Sequence, residues 1–406
     1  MGKSINTTNN SSFKKLGEVC TYSKGKKPAI LNETKTKDCS VPYINIKAFE
    51  KGIITEYTNG EKCNICNDDD LLMVWDGARC GLIGKAKKGA VGSTLMKILP
   101  RENIHKEYLF HFISSKFWTL NTKPKGVGIP HIEPTLLWNF ELVVPPLPEQ
   151  QAIVAKIEEL LSELENGKEQ LQTAQQQLKV YRQSLLKWAF EGKLTNKNVK
   201  DRELPEGWRL TTIGDIFEVY IGSTPKRNNP EYWGGNISWL SSGEIAFRDI
   251  KSTKEKITVE GLENTSCKVH PIGTVILAMI GEGKTRGQAA ILKIESSHNQ
   301  NTAAIRVEDK VYKSSLLYYY LVYKYEDNRR VGSGNNQKAL NKERVKSISI
   351  PLPPIKQQQH IVDELESKLT VCHNIEETIS QSLQQVETLR QSILKRAFEG
   401  KLLNNK

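Results

Sequence analysis

Groups that could do chemistry occur along the whole 406-residue chain, and spacing decides what each could do. Met279–Gly287 reads MIGEGKTRG, and its GEGKT core looks like the end of a phosphate-cradling loop. That loop needs a glycine five residues before Gly283, and the position holds Ala278, so no ATP site is expected. The stretch otherwise suits either a DNA contact or a solvated hairpin loop. Glycine lets backbone approach a phosphate, and Arg or Gln can read purine edges, so Lys284, Arg286 and Gln288 are candidate contacts. NNPEYW, Asn228–Trp233, approaches the Asp/Asn-Pro-Pro-aromatic stretch of adenine methyltransferases, but Glu231 stands where the second proline belongs. It reads as a surface turn. No glycine-rich nucleotide fingerprint follows a strand at the proper spacing. CNIC, Cys63–Cys66, has zinc-ligand spacing, but a structural zinc wants four ligands. Cys39 and Cys80 make poor partners, so these are read as ordinary reduced thiols. His131 and His270 stand alone and read as structural or surface residues. No catalytic residue and no metal site is expected.

What remains is basic and polar side chains on expected loops. In the first half these are Lys24, Lys26, Lys27, Arg79, Lys85, Lys87, Lys88, Lys123 and Lys125. In the second they are Thr224, Lys226, Arg227, Arg248, Lys284, Arg286, Gln288, Arg329, Arg330, Asn335, Asn336, Gln337 and Lys338. Lysines would mostly meet phosphate, while Arg, Asn and Gln suit base edges. The net charge of +12 is unevenly placed. Residues 1–148 carry +7 and residues 195–352 carry +6, whereas 149–194 carry −1 and 353–406 carry 0. A surplus confined to two blocks favours polyanion binding, because that needs local rather than average charge. Mean hydropathy is −0.47 and no apolar run reaches the ~18 residues of a membrane span, so no membrane association is expected. The first ten residues lack the apolar core of an export signal, and the seven cysteines are scattered. Both point to the cytoplasm and against a disulfide framework.

The elements that must position these blocks announce themselves by repetition. QSLLKWAFEGKL, Gln183–Leu194, returns as QSILKRAFEGKL, Gln391–Leu402, at an offset of 208. The same offset superposes Pro145-Pro146 on Pro353-Pro354, Gln150-Gln151 on Gln358-Gln359 and Ile153-Val154 on Ile361-Val362. Between the prolines and AFEGKL the pattern is helical. Ile153, Ile157, Leu160, Leu164, Gly167, Leu171, Ala174, Leu178, Tyr181, Leu185 and Trp188 step by alternating fours and threes, a heptad seam. The second copy, Ile361 to Arg396, is weaker, with polar residues at three seam positions. The prolines admit a helix start, and Gly192 and Gly400 are stop signals. Each helix of roughly 40 residues would span about 60 Å. Neither can bury its stripe alone, so the two are expected to pack as an intramolecular coiled coil. The blocks before them are weakly alike too. DLLMVWDG matches GTVILAMIG as apolar strand runs, and YLFHFISS matches LLYYYLVY as short helices.

This organisation resembles the specificity subunit of type I restriction-modification systems, over essentially the full chain. IGSTPKRNNPEYWGGNISWLSSGEI, Ile221–Ile245, looks like the characteristic opening of a target recognition domain. PPLPEQQAIVAKIEELL, Pro145–Leu161, and the two AFEGKL endings resemble the family's central and distal repeats. The resemblance implies an α+β fold in which two mixed α/β target recognition domains, 1–148 and 195–352, alternate with two repeated helices, 149–194 and 353–406. The helices would form an antiparallel coiled coil, and the whole would be pseudo-two-fold symmetric. Each domain would read one half of a split, asymmetric site in double-stranded DNA. Two modification (methyltransferase) subunits would dock on the helices, joined in some systems by two restriction subunits. The chain itself would need no cofactor. S-adenosylmethionine and ATP are expected only on the partners. Two other readings differ in class: a self-sufficient methyltransferase, and a coiled-coil adaptor with two basic interaction domains. Methyl transfer by the isolated chain would mark the first, and absence of sequence-selective DNA binding the second.

Overall fold

The computed structural model describes residues 12–122, 130–196, 199–200, 203–281, 283–330 and 340–403. Lys123, Lys125, Asn335, Asn336, Gln337 and Lys338 lie outside the described residues. The chain divides into two compact units, 1–172 with 380–406, and 173–379. Each unit therefore holds one globular block and one half of each long helix.

In the first unit the chain runs β1 Ser12–Lys15, α1 Leu16–Val19, β2 Cys20–Lys24, β3 Val41–Ile44, α2 Ile46–Lys51, β4 Tyr57–Thr58, β5 Ile65–Cys66, β6 Leu71–Val74, β7 Ile83–Lys85, β8 Gly89–Val91, β9 Leu95–Pro100, α3 Lys106–Ser115, α4 Phe117–Thr122, α5 Pro134–Trp138, β10 Glu141–Val144 and then the long α6 Leu147–Phe190. One four-stranded sheet has the order β2-β9-β6-β7 and a second the order β4-β3-β8-β5. β1 and β10 close the block's entry and exit as an antiparallel pair. β6 is a continuous apolar run, and all four residues are fully buried because both of its faces are covered.

The second unit repeats this plan through β11 Arg209–Thr212, α7 Ile213–Ile216, β12 Glu218–Ile221, β13 Trp233–Leu240, β14 Asp249–Ile250, β15 Glu255–Ile257, α8 Val259–Glu263, β16 Val275–Ala278, β17 Ala289–Leu292, β18 Ser297–His298, β19 Thr302–Arg306, α9 Ser314–Tyr323, α10 Tyr325–Arg330, α11 Lys342–Lys346, β20 Ser349–Leu352 and the long α12 Ile355–Phe398. Its larger sheet has the order β12-β19-β16-β17-β14, which is the first unit's order with one strand added at the edge. Its smaller sheet, β15-β13-β18, contains a parallel pair, β13 with β18, as β3 pairs with β8 in the first unit.

The two long helices have 44 residues each. Each starts on a proline carbonyl: Pro146 O accepts from the N–H groups of Glu149 and Gln150, and Pro354 O from those of Gln357 and Gln358. Each stops where a glycine turns left-handed, Gly192 at φ +74° and Gly400 at φ +70°. In the first unit Ile153, Val154 and Ile157 of α6 share a core with Leu394 and Ala397 of α12. In the second, Leu185, Leu186 and Ala189 of α6 share one with Ile361, Val362 and Leu365 of α12. The start of one helix meets the end of the other in each unit, so the pairing is antiparallel. The AFEGKL phenylalanines anchor the ends. Phe398 packs edge-on against Tyr108 and Phe112 at 5.2 and 5.3 Å. Phe190 packs edge-on against Tyr320 at 5.0 Å. The heptad seam holds at Ile153, Ile157, Leu185, Ile361, Leu365, Cys372 and Ile379, which are buried, and fails at others. Tyr181, Trp188, Ile375 and Leu389 are exposed, while Leu186, Ala189, Leu394 and Ala397 are buried. An α-helix drifts about 20° per heptad from a 3.5-residue repeat, and at their ends these helices face a globular core as well as the partner helix.

Candidate nucleic-acid interface

Strand directions in the larger sheet of the second unit gather most of the candidate residues at one rim. β12 ends, β16 ends, and β17 and β19 begin there, since Ile221 pairs with Ala303, Ala278 with Thr302, and Leu277 with Ala289. Thr224, Lys226 and Arg227 follow β12. Lys284, Arg286 and Gln288 lie on the β16–β17 loop, and Arg248 precedes β14. Helix α10, with Arg329 and Arg330, packs onto the same loop. The Tyr325 hydroxyl donates to the Lys284 carbonyl at 2.6 Å, and the Arg329 guanidinium lies 6.0 Å from the Tyr325 ring. A Cβ added to Gly287 would stand 3.2 Å from the Tyr325 carbonyl, which is why glycine occupies this left-handed position. Tyr325 also meets Phe247 edge-on at 4.9 Å. Phe247 is held at φ +54°, and its carbonyl accepts the Tyr318 hydroxyl at 2.7 Å. That turn sets the direction of Arg248, whose Nε donates to the Glu244 carbonyl at 3.2 Å.

The loop after β12 depends on a close backbone approach. A Cβ on Gly222 would lie 2.0 Å from the His298 carbonyl oxygen, and Ser223 N–H donates to that oxygen at 3.0 Å. Thr224 donates its hydroxyl to the Gln300 side-chain carbonyl. The Arg227 guanidinium pairs with the Glu255 carboxylate and stacks 3.9 Å from the Trp233 ring. The pairing holds the Glu255 carboxyl below the usual carboxylate range. Beneath the loop lies a buried polar chain. Arg306 Nε donates to His270 Nδ1 at 3.1 Å, His270 and His298 meet through Nε2 at 3.2 Å, and His298 Nδ1 meets the Thr302 hydroxyl at 2.7 Å. Burial pushes the His270 imidazole down to about 3 and that of His298 down to about 4. His270, which the sequence reading takes as standing alone, is thus buried between Arg306 and His298.

In the first unit the corresponding rim carries Lys24 at the end of β2, Lys26 and Lys27 after it, and Arg79 on the β6–β7 loop. Gly25 repeats the role of Gly222, since a Cβ there would lie 2.1 Å from the Gly92 carbonyl oxygen. Both rims thus begin with Gly-x-x-Pro, Gly25–Pro28 and Gly222–Pro225. Lys24 pairs with Asp76 at 2.9 Å and Arg79 with Glu50 at 3.0 Å. Lys85 is elsewhere. It ends β7 on the far edge of the sheet and pairs with Glu107 at 3.1 Å, and exposed Lys87 and Lys88 follow it. The structure therefore brings together Lys24, Lys26, Lys27 and Arg79 but not Lys85, Lys87 and Lys88. Of the CNIC thiols, Cys66 is fully buried and donates to the carbonyls of Lys87 and Gly89, and Cys63 is half-buried and donates to the Glu61 carbonyl. Among the described residues no group of three or more His, Cys, Asp and Glu side chains is placed to hold a metal, and no helix is long and apolar enough to cross a membrane. Sequence reasoning missed Gln300. Its one signal is HNQN, a polar run immediately before the apolar strand TAAIR.

Comparison with known proteins bears on the whole chain. The family described as Type I restriction modification DNA specificity domain matches residues 9–173 and 205–385, one match for each block. The type I restriction enzyme MjaVIII specificity subunit of Methanocaldococcus jannaschii is 26% identical over 96% of this chain and 92% of its own length. The EcoBI specificity subunit of Escherichia coli is 25% identical over 91% and 82%. Among solved structures, the HsdS subunit from Thermoanaerobacter tengcongensis has a TM-score of 0.64 at 21% identity, covering 97% of both chains. A chain from a structure of assembly and conformational transition in the type I R-M system has a TM-score of 0.71 at 21% identity, covering 98% and 100%. At these identities the structural likeness concerns the fold.

Proposed function

Because the chain belongs to the type I restriction-modification DNA specificity family, whose role is target recognition, we propose that each unit's sheet rim reads one half of a split, asymmetric target in double-stranded DNA. The observation that carries this is the pair of equivalent rims with unlike side chains. Both share the order of four strands and the same Gly-x-x-Pro loop, yet one loop offers Lys26 and Lys27 where the other offers Ser223 and Thr224. Two like frames with unlike surfaces suit two different half-sites. Joining them in one chain raises the effective concentration of the second rim once the first has bound. The lysines serve mainly as phosphate contacts, and the reading falls to Arg, Gln and Thr.

The chain is non-catalytic in this reading. It holds two adenine methyltransferase subunits on the target, with restriction subunits added where the system has them. S-adenosylmethionine and ATP are bound by those partners. Mapping modified adenines in the host genome with and without this gene tests the proposal. The expected result is gene-dependent modification at a motif of two different halves separated by a fixed gap. A continuous or palindromic motif would overturn the two-rim reading, and methyl transfer by the purified chain alone would overturn the non-catalytic one.

A further inference from the structure

We propose that Gln300 reads an adenine in the major groove and that Thr224 is the positioning residue that orients its amide. This rests on the reading that the second unit's rim faces DNA, and deepens it to one side chain and one base. Gln300 is exposed on the turn between β18 and β19, at the centre of that rim. The residues around it are fixed. Asn299 N–H donates to the Leu240 carbonyl at 2.9 Å, Asn301 N–H to the Asn299 side chain at 3.2 Å, and Met279 N–H to the Asn301 carbonyl at 2.9 Å. The His270–His298 chain and the close approach of Gly222 support the turn from below. A polar side chain held above a rigid platform is prepared for recognition, because little rotamer freedom is lost on binding.

The hydrogen bond from Thr224 gives the amide a direction. With Oε1 accepting the Thr224 hydroxyl, Nε2 and the second lone pair of Oε1 remain available among the described residues. That donor and acceptor together match adenine, which offers N7 as acceptor and the N6 amino group as donor on its major-groove edge. Guanine presents two acceptors there and would set one against Oε1. Arg227, three residues after Thr224, is engaged by Glu255 and Trp233, and exposed Lys226 and Lys284 stand on the flanking loops to meet phosphates. The first unit has Ser93 and Thr94 in the connection before β9 and Lys27 in place of Thr224, so this device belongs to one half-site only.

The test uses the chain assembled with its modification subunits, assayed on duplexes carrying every base pair at each target position. Gln300→Ala should reduce discrimination at least about tenfold at one A·T position and leave the others intact. Thr224→Val should relax the same position, and Thr224→Ser, which keeps the hydroxyl, should retain it. Unchanged discrimination, an equal loss on all duplexes, or relaxation at a G·C position would overturn the proposal. Wild-type assemblies that show no sequence preference would instead remove the underlying reading of the rim.

Discussion

Gln150 and Gln358 show how a single residue can hold a repeated architecture in place. Both are fully buried at the first turn of a long helix. Gln150 accepts from His105 N–H at 2.8 Å and donates to the carbonyls of Asn103 and Pro145 at 2.9 and 2.8 Å. Gln358 accepts from Lys313 N–H at 2.9 Å and donates to the carbonyls of Val311 and Pro353 at 3.1 and 2.9 Å. All three partners shift by the same 208 residues. Each glutamine ties its helix to the connection that precedes α3 or α9. Replacing either with alanine strands one buried N–H and two carbonyls, at a cost of about 3 kcal/mol. Denaturant unfolding of Gln150→Ala and Gln358→Ala checks this, and a loss below about 0.5 kcal/mol in both would show that these groups find water or other partners. The doubled Gln-Gln was legible in the sequence, but which glutamine is buried was not. The tyrosines nearby were less legible still. Tyr108 donates to Val143 O and Tyr312 to Pro351 O, equivalent acceptors reached from non-equivalent positions.

The two long helices were the most legible elements. Their prolines, glycines and four-three spacing are local signals, and the observed 44-residue helices follow from them. Less legible was which residues face inward near the ends, because a docked end follows the shape of the block that receives it. Trp188 and Arg396 illustrate the point: both are exposed, so the one non-conservative difference between the two twelve-residue endings lies on the outer face. If the helices set the gap between half-sites, a heptad added to both should lengthen it. Seven residues add ~10 Å, roughly three base-pair steps. Insertion after Gln170 and Thr378 keeps the seam in phase and leaves both docked ends untouched. Methylation mapping of such a variant should find the same half-sites at a wider gap. An unchanged gap in a folded variant would sink the ruler idea.

At the scale of the molecule, buried imidazoles make stability depend on pH. His270 and His298 in the second unit and His111 in the first are kept neutral by burial, with His111 and His298 pushed down to about 4 and His270 to about 3. In the unfolded chain a histidine titrates near 6.5, so below that the unfolded state takes up protons that the native state refuses. Their contribution is fully present above pH ~6.5 and is lost as pH falls toward 4, by up to about 1.4 kcal/mol per pH unit for each histidine. Denaturant midpoints should drop between pH 7.5 and 5. A flat profile would mean that these rings reach solvent in the native state.

The sequence by itself determined the tandem plan, the two helices with their stops, the uneven charge and the family. These rest on periodicity, chain punctuation and repeated words, which are properties of neighbouring residues. The tertiary structure alone decided which basic residues share a rim. Lys85 and Arg79 are six positions apart, yet a strand carries Lys85 to the far end of the sheet. Thr224 and Gln300 are 76 positions apart and touch. Arg227 has the makings of a base reader, and its guanidinium is held by Glu255, 28 positions away. A side chain's role at a surface is set by partners that only folding brings within hydrogen-bonding range, and spacing along the chain carries no record of them.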